Sequence, residues 1–247
     1  MTMFHSAVSF VLFLLLSAPA EAQSINLDSL LPAGDPTASG RIVQLVVVLT
    51  VLSVAPGLLM MVTCFSRFLI AFSFLRAGLG LQTTPSNLIL VSLSMFMTLF
   101  VMGPTFEQSW QAGVKPLIEN RISQEEGFTQ TTTPFRTFMM ANVREKDLAM
   151  FEAIALEKLG ADKKLSNEDF RILIPAFMIS ELRRGFEIGF LIALPFLVID
   201  LVVATIVMSM GMMMLPPTVI SLPLKVLFFV LIDGWNMLVG TLVRSFA

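Results

Sequence analysis

Tyrosine is absent from these 247 residues, cysteine and histidine occur once each, and only 14% of positions are charged. Each scarcity excludes something. A single cysteine, Cys64, permits neither a disulfide framework nor a cysteine-based zinc site within one chain. The one histidine, His5, lies in what reads as a removed leader, so the mature chain has no imidazole for general catalysis or metal ligation. A net charge of −2 leaves no basic field for nucleic acid, whose binding depends on neutralising phosphates. Gly78-Leu79-Gly80 lacks the third glycine and the preceding strand of a nucleotide fingerprint, and no glycine precedes a lysine. No cofactor is expected.

What is abundant fits those gaps. The chain is 55% apolar, with 22 Phe, 17 Met and a mean hydropathy of +0.83. A soluble domain carries about a quarter charged residues, so this is the composition of a membrane-embedded protein.

Residues 1–22 read as a secretory signal peptide. The apolar run Ala7–Leu16 is followed by Ala20-Glu21-Ala22 as cleavage site, although Met1–Ser6 holds no Lys or Arg. Residues 23–40 read as an exposed linker. Four apolar runs follow: Ile42–Phe65, Leu88–Phe106, Gly185–Leu215 and Val219–Val243. Each is long enough to cross a hydrocarbon core of about 30 Å. Pro56-Gly57 and Pro195 predict a break or kink in the first and third.

With the leader removed, residue 23 starts outside and loop 66–87 (Arg67, Arg76, no acids) falls in the cytoplasm, as positive-inside topology prefers. Segment 107–184, with 11 basic and 12 acidic residues, then lies outside. Arg183, Arg184 and Arg244 land on the disfavoured side, so either the leader reading is wrong or these helices are not ordinary lipid-facing spans.

The segment 107–184 reads as a polar helical insert. Phe138, Met139, Leu148, Phe151, Ile154, Ala155 and Leu159 recur at a helical period, with Gly160 at the natural stop. Ser166-Asn167-Glu168-Asp169 resembles a capping box opening the next helix. Arg144-Glu145-Lys146 reads as a solvated face. The organisation predicted is a first membrane helix pair over 41–106, the insert, and a C-terminal helical hairpin over 185–247. The fold class is all-α: an integral membrane protein of helical hairpins with a helical extracytoplasmic insert.

Three groups of residues stand out. Glu187, Asp200, Lys225 and Asp233 are charges inside apolar runs, where each is costly and by default functional. If Gly211–Pro217 turns the chain, Asp200 lies 11 residues before it and Lys225 8 after it, which places them at similar depth. An ion pair fixing helix packing is the reading preferred here over a proton or cation relay. Met208, Met210, Met212, Met213 and Met214 crowd the same turn beside Gly211 and Pro216-Pro217. Methionine is flexible and polarizable. A helix-breaking loop at membrane depth is tolerated only within protein or lining a cavity, so copies around an axis would form a deformable seal. Gly185 and Gly189 form a G-x-x-x-G pair suited to close helix approach.

The last two runs carry a resemblance. Pro175-Ala176-Phe177-Met178-Ile179-Ser180-Glu181-Leu182, continuing through Gly185–Phe190, resembles one signature of the FliP family of flagellar export proteins. The stretch from Pro195 to Pro217 resembles the other, with Asp200-Leu201 and Met208-Ser209-Met210-Gly211-Met212-Met213-Met214 inside it. Leu222–Lys225, Val230–Trp235 and Arg144–Leu148 are similar to further family blocks, and the likeness covers roughly 41–247.

The resemblance implies a core subunit of the flagellar type III export gate, in the bacterial inner membrane at the basal body. It implies a helical oligomer, pentamer-like, with FliQ and FliR, touching FlhB and FlhA and conducting unfolded rod, hook and filament proteins. Met210, Met212, Met213 and Met214 would form the gasket of that pore. Asp200 and Lys225 match charged positions of its hairpin. The leader points to the flagellar rather than the injectisome branch. The alternative is a small-solute or proton channel using Asp200, Lys225 and Glu187. An intramembrane hydrolase ranks last, for want of a nucleophile–base pair.

Overall fold

A computed structural model describes residues 38–159, 169–212 and 215–246. Among them every regular element is helical, as the apolar periodicity predicts. The elements are α1 (Ala38–Val62), α2 (Phe65–Gly78), α3 (Asn87–Ser109), a π-helical turn (Trp110–Val114), α4 (Lys115–Ile118), α5 (Gln124–Asn142), α6 (Glu145–Leu159), α7 (Phe170–Ser209), α8 (Pro217–Leu231) and α9 (Gly234–Arg244). The chain divides into two units, residues 1–53 and 54–247, and all helices after α1 belong to the second.

Local chemistry sets several ends. The Ser123 hydroxyl accepts from the Glu126 amide at 3.2 Å, with Glu125 and Glu126 in the first turn of α5. Asp169 Oδ1 accepts from the Arg171 amide at 2.9 Å and opens α7, so the cap is the aspartate next to the helix. Ser166, Asn167, Glu168 and Gly160 lie outside the described residues, as does the leader.

The apolar runs are divided differently from the sequence expectation. Asn87–Ile118 and Phe170–Ser209 are long and apolar enough to cross a membrane, and Pro217–Leu231 with Gly234–Arg244 is a pair bent by 64°. The fourth run is therefore broken at Asp233, whose left-handed φ of 50° redirects the chain. A Cβ at Gly234 would lie 2.2 Å from the Phe229 ring, so the bend also requires a residue without one. Pro56 and Pro195 break nothing: α1 and α7 run through them. Membrane helices tolerate proline where neighbours satisfy the freed carbonyl. α7 also crosses the boundary at 184/185, so insert and hairpin share one helix of 40 residues, about 60 Å long.

The largest difference lies at 66–87. Where the sequence reads as a loop, Phe65–Gly78 is a helix at the centre of the core, with Phe68, Ala71, Phe72 and Leu75 buried. Its 14 residues are too few to cross a bilayer and carry two arginines, so hydropathy passes over it. Its place is decided by α7. Arg67 meets Glu181, Ile70 meets Gly185, Phe74 meets Gly189, and Gly78 meets Ala193. That near-constant register makes α2 and α7 a parallel pair, in contact through small residues.

Two cores result. Around α2 gather Met102 of α3, Phe196 of α7 and Leu238 and Leu242 of α9. In the insert, Met139, Leu148, Ile172, Leu173 and Phe177 join α5, α6 and the start of α7.

Candidate functional site

The hairpin of α7 and α8 brings together most of the residues singled out above. α7 stops in a Schellman motif: the Met212 amide donates to the Val207 carbonyl at 3.2 Å and the Gly211 amide to Met208 at 3.1 Å. Gly211 supplies the left-handed φ of +73° this closure needs. Pro216 and Pro217 then open α8, where a missing amide hydrogen costs nothing. The end of α7 therefore holds its shape by backbone bonds. Met208, Met210 and Met212 are 58%, 68% and 42% exposed, while Met213 and Met214 lie outside the described residues.

Above the turn, the Lys225 ammonium contacts Asp200 Oδ2 and donates to the Gly78 carbonyl at 3.0 Å. Ser221 Oγ donates to Asp200 Oδ1 at 2.7 Å. Gly78 ends α2, so its carbonyl has no partner within the helix, and a cation there also meets the negative end of the helix dipole. One lysine thus joins α2, α7 and α8. The lysine side chain is 6% exposed and the aspartate 36%, so the pair is sealed on one side only. A cavity of about 810 Å³ lies beside it, lined by Gln82, Thr83, Thr84, Thr218, Ser221 and Lys225.

The other charges are placed apart. Glu187 is exposed on α7 and pairs with Arg183 one turn earlier at 2.8 Å. Asp233 is exposed at the α8–α9 bend and caps no helix through its side chain. Gly185 and Gly189 face α2; a Cβ at Gly189 would stand 2.7 Å from Phe74. In the insert, Arg144 is half-buried: its amide donates to Ser180 Oγ at 3.1 Å, while Glu145 and Lys146 are solvated.

Sequence reasoning missed a second ion pair. Arg67 Nε donates to Glu181 Oε2 at 2.8 Å, its Nη2 contacts Oε1, and both side chains are fully buried. The same guanidinium donates to the Ser245 carbonyl at 3.1 Å and hydroxyl at 2.8 Å, and stacks 3.5 Å from the Phe246 ring centre. This pair closes the core over the end of α9. Arg67 and Glu181 stand 114 positions apart, so no local spacing announces it. Among the described residues no three His, Cys, Asp or Glu side chains gather to hold a metal.

Broad apolar faces remain uncovered: Phe186, Phe190, Leu197, Leu201 and Ile206 on α7, and Val219, Leu227 and Val230 on α8. Only 22% of the apolar stretch of α7 is buried within the chain, against 28% for α3 and its continuation. Helices of this length and coverage define an all-α membrane protein.

Comparison with known proteins gives the particular family. Residues 48–242 match the FliP family. The chain is 57% identical over 247 residues to the flagellar biosynthetic protein FliP of Rhizobium meliloti strain 1021, covering 99% of this chain and all of that one. It is 57% identical over 244 residues to the protein of that name from Agrobacterium fabrum, covering 99% of this chain and all of that one. With the Bacillus subtilis protein the identity is 46% over 214 residues, 87% of this chain and 96% of the other. The chain belongs to the FliP family.

Proposed function

We propose that this chain acts in flagellar biosynthesis as a core subunit of the type III export gate, in the inner membrane at the basal body. Its relatives carry the name flagellar biosynthetic protein along their whole length, and that likeness carries the reading. It does no bond chemistry. Several copies, with FliQ and FliR and in contact with FlhB and FlhA, close a pore through which unfolded rod, hook and filament proteins pass. The unpartnered faces of α7 and α8 are the surfaces such an assembly covers. Met210, Met212, Met213 and Met214 form the gasket around the axis. A thioether side chain suits that task, because it reshapes around passing chain and closes again.

Asp200 and Lys225 hold the hairpin rather than relay protons. Ser221 and the Gly78 carbonyl complete their bonds, as a pair that fixes packing requires. Gly185 and Gly189 set α7 against α2.

The test is a clean deletion of the gene in a flagellated host, with hook and filament proteins assayed in the medium. Their loss while other membrane traffic continues is the expected result. Continued export would overturn the reading.

A further inference from the structure

We propose that the methionine turn is a site of reversible oxidation, at which a peroxide loosens the closed gate. The proposal rests on the gasket reading above. Its structural basis is the contrast among the methionines. Met102 and Met139 are fully buried, each within one of the two cores. Met208, Met210 and Met212 are exposed at the end of α7, which closes through the Gly211–Met208 and Met212–Val207 backbone bonds, and among the described residues other than Met210 and Met212 nothing lies within 4 Å of a Cβ built at Gly211. Met60, Met61, Met95 and Met237 are exposed too, but on apolar helices that lipid or a partner would cover. Met150, exposed on α6 of the polar insert, is the water-facing comparator.

Thioether oxidation follows exposure and needs no base or metal. With hydrogen peroxide, the sulfur lone pair takes the distal oxygen, the O–O bond breaks, and water leaves. The sulfur is oxidised by two electrons and the peroxide reduced by two. A methionine sulfoxide reductase returns the oxygen as water at the expense of two thiols. The product is polar and chiral where the seal requires an apolar, adaptable surface. Several copies around one axis would each bring three or more such sulfurs to the same ring, so partial oxidation already wets it.

The experiment uses the full chain in its assembled complex, in membranes of a flagellated host treated with graded hydrogen peroxide. Peptide mapping by mass spectrometry follows oxygen uptake at each methionine, and ion leak through the closed gate is recorded in parallel. The expected result is oxygen at Met208, Met210 and Met212 at doses that leave Met102 and Met139 untouched. The leak rises with it and falls back on reductase treatment. In M208L/M210L/M212L the untreated leak takes whatever value it has, and peroxide adds nothing to it.

Turn methionines that stay unmodified while Met150 oxidises would overturn the proposal. So would oxidation of the turn without a change in leak. In that second case M208A/M210A/M212A separates the two readings. If the alanine variant leaks, the gasket stands and only the oxidation switch fails; if it does not leak, the gasket fails as well.

Discussion

The two halves of α7 use the same secondary structure to opposite ends. From Phe170 to Glu181 the buried positions are Ile172, Leu173, Ala176 and Phe177 in the insert's own core, Ser180 bonded to Asp147 of α6, and Glu181 turned to Arg67 of α2. From Gly185 onward they narrow to Gly185, Gly189, Ala193, Phe196, Val203 and Val207, roughly one residue per turn. Most of the rest of that half is large, apolar and exposed. The first half is covered nearly all round, with Arg171 and Ile179 its exposed positions, so packing in the insert leaves little face to choose. In the second half apolar residues lie on every side and hydrophobicity cannot select the buried face; beside α2, residue size does. Small residues are where α2 comes close; large ones are left for lipid or other subunits.

The seam between the halves carries the largest expected effect. Replacing Arg67 with Ala leaves the Glu181 carboxylate buried and unpaired, which costs about 3–5 kcal/mol. Denaturant unfolding in detergent should show both halves destabilised, since Glu181 ends one stripe just before the other begins. The double variant R67M/E181L should recover much of the loss, because two apolar groups leave no lone charge. A single variant that unfolds only the hairpin side would break the view of α7 as one continuous element.

Next comes the small-residue stripe. Gly189→Ala brings a methyl to 2.7 Å from Phe74, while the same change at Gly185 meets Ile70 at 3.2 Å. Overpacking of this kind costs about 1–3 kcal/mol, and Gly189→Ala should fall at the upper end with Gly185→Ala well below it. Thermal melts of the pair of variants check the order. Equal shifts would mean α2 and α7 separate as rigid rods, and size would no longer explain which face is buried.

How much of this was legible follows the same division. Helix type and a helix start close to Phe170 come from local chemistry readable along the chain, although the cap is Asp169 itself and not the head of a Ser166–Asp169 box. The depth of Asp200 relative to Lys225 is countable, since both lie on one hairpin and each residue adds about 1.5 Å. α2 reads as a loop because its burial is fixed by a helix 115 positions away. The break at Asp233 was also illegible: an aspartate in a left-handed conformation gives no signal that a glycine would. Arg67 paired with Glu181 belongs to the same class of long-range facts.

The hairpin pair should respond more mildly than the buried one. Asp200 is part exposed, so Asp200→Asn should cost about 0.5–1.5 kcal/mol, the range of a weakened hydrogen-bonded contact. The charge swap D200K/K225D sharpens the point. It restores the Coulombic attraction but turns a carboxylate toward the Gly78 carbonyl, which accepts from Lys225 in the native chain. Rescue of assembly should therefore be partial. Full rescue would mean that the bond to α2 contributes nothing and that the pair acts within the hairpin alone.

The smallest effect on stability is expected where the effect on function is largest. Met210 and Met212 stand off a turn that closes through backbone bonds, so M210A/M212A removes little buried contact. Surface changes of this kind stay within about 0.5 kcal/mol, and the melting profile and assembly should be those of the native protein. Alanine nevertheless takes three heavy atoms from each side chain at the narrowest place the proposed pore has. Ions should pass the closed gate, and a leak measured across membranes with the assembled variant reports it. A loss of assembly together with the leak would place these methionines in packing between subunits rather than in a seal. A normal assembly with normal tightness would remove them from the pore, and the open half of α7 would then be explained by lipid alone.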